Sequence, residues 1–182
     1  MTTTTRDRLA VDQGTWSLDQ AHSSATFEVE HAGLSIFKGG FKPLSATLES
    51  TDEGLALDGA VSVDAISIDD ENIRPHLLSP EFFDADRNPE VTFRSTEVTG
   101  TADDLVVRGE LSMAGATREV EATGKIRGPV DGPGGGRKLA LSLSAAIDRT
   151  DWGMDWQMEM PGGALALGLE VRLAVELEFS LR

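Results

Sequence analysis

Three histidines, His22, His31 and His76, are the side chains best suited to acid–base or metal chemistry in this chain. Each imidazole carries two nitrogens that donate, accept or ligate. Three of them from separate elements would suit a catalytic zinc, but no His-x-His or HExxH spacing supports it. Structural hydrogen bonding, contact with a ligand's head group, and metal ligation in a metal-dependent enzyme are therefore three open roles. For a buried His31, Asp19, Glu30 and Arg74 are candidate partners. Arg74 is the foremost anion-binding candidate, because a guanidinium is a fork of donors suited to phosphate, carboxylate or quinone oxygen. Its competing partners are Asp69, Asp70 and Glu71. Absence of cysteine excludes disulfides, thiolate metal clusters and thiol nucleophiles. There is no nucleophile elbow, P-loop or dinucleotide fingerprint, since the Gly-x-Gly pieces sit in loops without a following helix. No catalytic residue, metal ligand or cofactor is assigned on this basis.

Charge narrows the partners. Sixteen basic against 31 acidic residues leave a net charge of −15, which repels phosphate backbones and argues against nucleic acid. No apolar stretch approaches the roughly 18 residues of a spanning helix, so stable membrane insertion is not expected. The first residues lack an apolar run of secretory length, with Asp7 and Asp12 interrupting them, which predicts a cytoplasmic location. A length of 182 residues suits one domain with its own core. Residues 1–14 are polar and unpatterned and are expected to form a frayed arm, leaving 15–182 as a single domain.

The elements that must position these side chains are strands. Apolar and polar residues alternate through Ala25–His31, Leu44–Glu49, Leu55–Asp64, Val91–Arg94, Leu105–Leu111, Val120–Arg127 and Leu139–Asp148. The longest run, Leu165 to Leu181, exceeds a straight strand and must bend or bulge, with Gly168 the obvious place. One dry and one wet face per strand mark an antiparallel sheet. About eight such strands predict an all-β sandwich or up-and-down barrel. Turns are expected at Thr51–Gly54, Thr99–Asp104, Gly115–Ala116 and Pro129–Gly136. Between Asp69 and Pro89 the apolar residues Ile73, Leu77, Leu78, Phe82 and Phe83 take helical offsets instead. Two short helices are predicted there, one capped by Asn72 and one opened by Ser79 and Pro80.

A barrel of this size is either filled by its side chains or holds one small apolar ligand. Gly59, Gly109 and Gly124 fall on the inward parity with Ala46, Ala122 and Ala145, which fits a tapered filled barrel and a vacant channel equally. Asp151–Gly163 concentrates Trp152, Trp156, Met154, Met158 and Met160. Adaptable methionines suit variable apolar partners, so this segment is either packing on the barrel end or a mouth for an apolar ligand.

Several ordered stretches resemble the YceI-like family of lipid- and polyisoprenoid-binding proteins: Trp16–His31, Lys38–Phe41, Asn72–Leu77, Ser79–Asp84, Pro89–Thr96, Gly109–Leu111 with Gly115, and Asp151–Met154. The resemblance implies an extended antiparallel lipocalin-like barrel of about eight strands with one or two short helices. It also implies an apolar channel that stores or carries a long isoprenoid, an isoprenoid quinone or a similar lipid, as ligand rather than cofactor, and a homodimer. Candidate ligand-binding residues are then Phe27, Val29, His31, Phe41, Leu48, Leu57, Val61, Phe93, Leu111, Met113, Leu143 and Ile147 on the strands. Arg74, His76, Phe82 and Phe83 join them from the central segment, and Trp152, Met154 and Trp156 from the Met-rich one. Family members usually carry an acidic residue after the Arg where this chain has Pro75, so the ion pair or cap of that carboxylate is missing. Many members are exported, whereas this chain shows no such signal. A filled barrel acting as an interaction or stress protein is the alternative to a binding module.

Overall fold

The computed structural model of the protein describes residues 9–182 and forms eight long antiparallel strands closed into a barrel. Three of the eight are each broken into two pieces: β1 (Gly14–Leu18) with β2 (Ser24–His31), β3 (Ser35–Phe41) with β4 (Leu44–Thr51), and β5 (Gly54–Ser62) with β6 (Ile66–Ile68). The other five are β7 (Glu90–Gly100), β8 (Leu105–Met113), β9 (Ala116–Asp131), β10 (Arg137–Asp148) and β11 (Leu167–Leu181). Each pairs with its neighbour in sequence, and β11 closes the ring by pairing with β2 and, further on, with β1.

Each break has a local cause. Asp19 accepts from the Ala21 amide at 3.0 Å and caps a 3-10 turn over Gln20–His22. Pro43, which lacks an N–H, separates β3 from β4. A second 3-10 turn, Val63–Ala65, separates β5 from β6. Beyond these breaks β6 pairs with β3 and has no ladder to β7, so the 69–89 segment spans that gap.

The barrel has two unlike ends. At the closed end, Trp16, Leu48, Leu105, Ile126, Leu139, Leu141 and Phe179 fill the interior as a solid plug. Leu9 and Val11 pack against this plug, and the Val11 carbonyl accepts from Ser50. Within the stretch expected to form a frayed arm, these contacts dock Leu9 and Val11 on the barrel end. The part of that expectation covering residues 1–8 lies outside the described residues. The other end carries the β2–β3 and β8–β9 hairpins and the start of β11, and is open.

The inward glycines are resolved individually. The Phe93 ring lies over Gly109, so that a Cβ there would sit 2.5 Å from it, and Phe27 covers Gly39 in the same way. At Gly124 a Cβ would collide with the Ser142 carbonyl. Gly59 alone of the three predicted glycines has room for a Cβ, which would make ordinary contact from 3.6 Å outward, and it lines the cavity described below. Glycine here mostly makes room for rings and close strands, and only at Gly59 for a void.

The central segment holds one α-helix rather than two: α1 (Arg74–Leu78), preceded by a 3-10 turn Glu71–Ile73. Asp70 caps that turn in place of Asn72, whose amide donates to the Asp70 carboxylate. Pro75 occupies the first turn of α1, where its missing N–H is harmless. After Ser79 the chain turns instead of coiling, with the Phe82 and Asp84 amides both donating to the Ser79 carbonyl. The glycine-rich loop is also shorter than expected, because β9 runs on to Asp131 past a register shift beside Pro129. The β11 bulge falls between Leu167 and Val171, at Gly168 as expected. Among the described residues no helix is long and apolar enough to cross a membrane.

Candidate functional site

Above the plug lies a cavity of about 670 Å³. Its floor is Leu57, Val107, Leu143 and Leu177, and its walls are Phe27, Val29, Phe41, Val61, Phe93, Leu111, Met113, Ile147, Val171 and Leu173. These are inward positions of successive strands, so the two-residue period that builds the sheet also builds an oily lining. One helical face roofs it: Ile73, His76 and Leu77 line the cavity from α1 and the turn before it, with Phe82 and Phe83 following.

Aromatic rings frame the mouth. Phe37, Phe27, Phe41 and Phe83 touch in sequence at centroid distances of 6.1, 5.9 and 5.9 Å. A second aromatic group is centred on His76, which stands edge-on to both Phe82 and Trp156 at 4.9 Å. That trio joins the α1 segment to the Met-rich segment across the opening, and the His76 Nε2 lies 2.8 Å from Glu81.

Arg149 holds the Met-rich segment in place. Its side chain is 3% exposed and lines the cavity. The guanidinium donates to the carbonyls of Gly168 at 2.8 Å, Trp156 and Leu167 at 3.1 Å each, and Met154. Leu167 and Gly168 lie at the bulge, so one side chain satisfies carbonyls that the shifted ladder leaves over. Burial pushes the guanidinium below its ordinary value, while Asp148 and Asp155 push it back up. Sequence pattern passed over Arg149; the available signal was a lone cation placed where the β10 alternation ends, just ahead of Asp151-Trp-Gly-Met.

The predicted residues divide clearly. All line the cavity except Leu48, Arg74 and Trp152. Leu48 belongs to the plug, because its position on β4 is too near the closed end. Trp152 packs with Leu111, Met113 and Met154, and its Nε1 donates to the Leu111 carbonyl at 3.0 Å. Arg74 donates to the carbonyls of Ile66 and Asp64, tying α1 to the β5–β6 break, and meets neither a ligand site nor the three acids beside it in sequence. Missed lining residues include Phe37, Val91, Val107, Val120, Met158 and Met160. Most of them share the inward parity, which alone does not say how far along the barrel the void extends.

The histidines do not converge. His31 faces the cavity with Phe27 and Val29 but at the exposed rim rather than buried, and His22 sits about 25 Å below it along the β2 rise. His22 Nδ1 is 3.1 Å from Asp19, and Glu178 completes a group with ligand-like spacing. Lys138 Nζ already stands 3.1 Å from Asp19 and 2.7 Å from Glu178, so an ammonium bridges the two carboxylates and offsets one of their two charges. Hydrogen bonds from His22 and Lys138 hold the Asp19 carboxyl down at about 2, from an ordinary 3.8. The native form thus favours the carboxylate, and the stabilisation is full above about pH 4 and is lost as pH falls toward 2. An NMR titration should find the Asp19 midpoint near 2, and Lys138→Met should raise it; an ordinary midpoint in the wild type would remove this pairing.

Comparison with known proteins agrees with this architecture. The YceI-like domain matches residues 16–179 of the chain. Protein YceI of Escherichia coli O17:K52:H18 is 30% identical over 134 residues, covering 72% of this chain and 70% of that protein. The crystal structure of Burkholderia cenocepacia BcnA superposes with a TM-score of 0.75 at 16% identity, over 88% of this chain and 98% of that one. A polyisoprenoid binding domain from Saccharophagus degradans, implicated in plant cell wall breakdown, superposes at 0.64 with 10% identity, over 92% and 98%. With the match running from β1 through β11, the chain belongs to the YceI-like family.

Proposed function

We propose that this protein binds a long apolar lipid, a polyisoprenoid or isoprenoid quinone in class, and shields it from water for storage or transport. The supporting observation is a cavity of about 670 Å³ above a solid plug, walled by aliphatic and aromatic side chains. Each buried methylene of a ligand gains about 0.8 kcal/mol, so such a chain binds tightly with few polar contacts. Specificity then comes from the depth of the cavity and the character of its mouth. A polyisoprenoid-binding domain among its structural neighbours supports the same class of ligand. Binding rather than catalysis is the activity this geometry favours, because the three histidines do not converge and, among the described residues, no carboxylate joins His31 and His76 in the cavity lining.

Native mass spectrometry of the purified protein, followed by solvent extraction, tests the proposal. A stoichiometric lipid of long-chain or prenyl type is expected. Failure of both the native protein and a delipidated sample to take up such a lipid would refute it. A homodimer in the cytoplasm extends the proposal, with sedimentation equilibrium and cell fractionation as the respective checks.

A further inference from the structure

Six large apolar side chains stand exposed among the described residues, and five of them surround the open end. Leu34, 89% exposed, and Ile36 lie on the β2–β3 hairpin, while Met158, 56% exposed, Leu165 and Leu169 lie on the Met-rich segment and the start of β11. The two groups are joined directly: the Ala32 amide donates to the Ala166 carbonyl at 2.9 Å, and His31 pairs with Leu167. The sixth, Val130, is at the closed end. Scattered exposed apolar residues are ordinary, but a group gathered at one opening marks an interaction surface.

Charge is missing from the same two tips. Residues 32–37 and 160–169 contain no Asp, Glu, Lys or Arg, in a chain whose residues are 26% charged. Exposed acids, Glu30, Asp155 and Glu159, stand around them. Met158 both lines the cavity and reaches solvent, so the outer apolar surface runs into the inner one without a polar step.

We infer that these two tips form a docking surface for the interface of an electrically neutral lipid bilayer. The uncharged tips complement a zwitterionic surface, whereas flanking carboxylates and a net charge of −15 repel an anionic one. Contact at the mouth lets an apolar cargo move between bilayer and cavity without crossing water, where each exposed methylene costs about 0.8 kcal/mol. The inference deepens the lipid-shielding function by naming where cargo is exchanged, and its test is read separately from cavity binding.

The test is flotation of the full chain with phosphatidylcholine vesicles at low and high salt, alongside uptake of a naphthalene dye by the cavity. Wild type should float with the vesicles at both salt concentrations. The double variant Leu34→Asp with Leu165→Asp should lose at least tenfold in partitioning while keeping the dye affinity, and Val130→Asp should change neither. Leu34→Trp should show a blue-shifted emission only when vesicles are added. The inference is overturned if wild type does not float, if the double variant floats equally well, or if only anionic vesicles are bound. It is equally overturned if the double variant turns a dimer into a monomer with no vesicle association, which would assign the rim to a second copy of the chain. Loss of dye uptake with flotation intact would instead remove the cavity function and leave the docking surface standing.

Discussion

Replacing Ala46 and Gly59 together by leucine is expected to weaken binding of a long acyl or prenyl chain at least fiftyfold with no loss of thermal stability. The two residues face each other across β4 and β5, and Gly59 faces Phe93 across β5 and β7, so the three form one rung of the wall. A Cβ at Gly59 meets nothing nearer than 3.6 Å, its backbone lies outside the left-handed region, and the position lines the cavity into which a longer side chain would extend. Glycine inside a strand costs roughly 0.5–1 kcal/mol relative to alanine, so replacing it offsets any crowding. New methyl groups at this rung displace ligand. Excluding three methylenes removes about 2.4 kcal/mol of binding, or about fiftyfold, and blocking passage along the rung removes more. Gly109→Ala is the contrasting case: its Cβ would lie 2.4 Å from the Arg94 carbonyl, so it should unfold more readily. Calorimetry of ligand binding beside thermal melts separates the two. Undiminished binding by the double-leucine protein would place the ligand chain elsewhere.

Arg149→Met should lower the stability of the protein by about 3–5 kcal/mol, a large share of what a domain of this size possesses. Methionine is similar in length and apolar, so it fills the space yet takes the Arg149 donor from the carbonyls of Met154, Trp156 and Gly168, while the Leu167 carbonyl keeps its bond from Gln157 Nε2. Each buried unpaired carbonyl costs about 1–3 kcal/mol, reduced where the segment can move out to water. Arg149→Lys should fall between, because an ammonium keeps the charge but offers three donors in place of a planar fork. Urea denaturation gives the global loss, and hydrogen exchange over 154–168 shows whether that segment opens first. A change below about 1 kcal/mol would mean that packing by Trp152 and Met154 suffices to hold the segment.

Strand period carried most of the architecture. Alternation from Ala25 to His31 and from Leu139 to Asp148 identified strands and their inward sides, because a sheet with one wet face must repeat every second residue. It predicted bending at Gly168, where the bulge stands. Alternation could not tell Leu48 from Leu57, which have the same parity and face each other across β4 and β5. One lies in the plug and the other on the cavity floor, because depth along a barrel depends on how all eight strands are staggered. Arg74 drew attention as a guanidinium suited to an anion, whereas Arg149 carries the mouth. The difference lies in partners far along the chain, the carbonyls of Leu167 and Gly168, which no local window contains.

An all-β barrel with an apolar interior and a helical interruption is written into the order of residue types, since period, turn chemistry and burial are local or additive properties. Whether that interior is solid or hollow belongs to the closed assembly. Trp16 and Phe179 meet only because β1 pairs with β11 across the full length of the chain, and they fill one end. At the other end Phe27 and Phe93 lie back against Gly39 and Gly109, and the space between them stays free. Packing is a property of neighbours brought together by closure, and the same set of leucines, valines and glycines is compatible with a stopper or a vessel until the strands are registered.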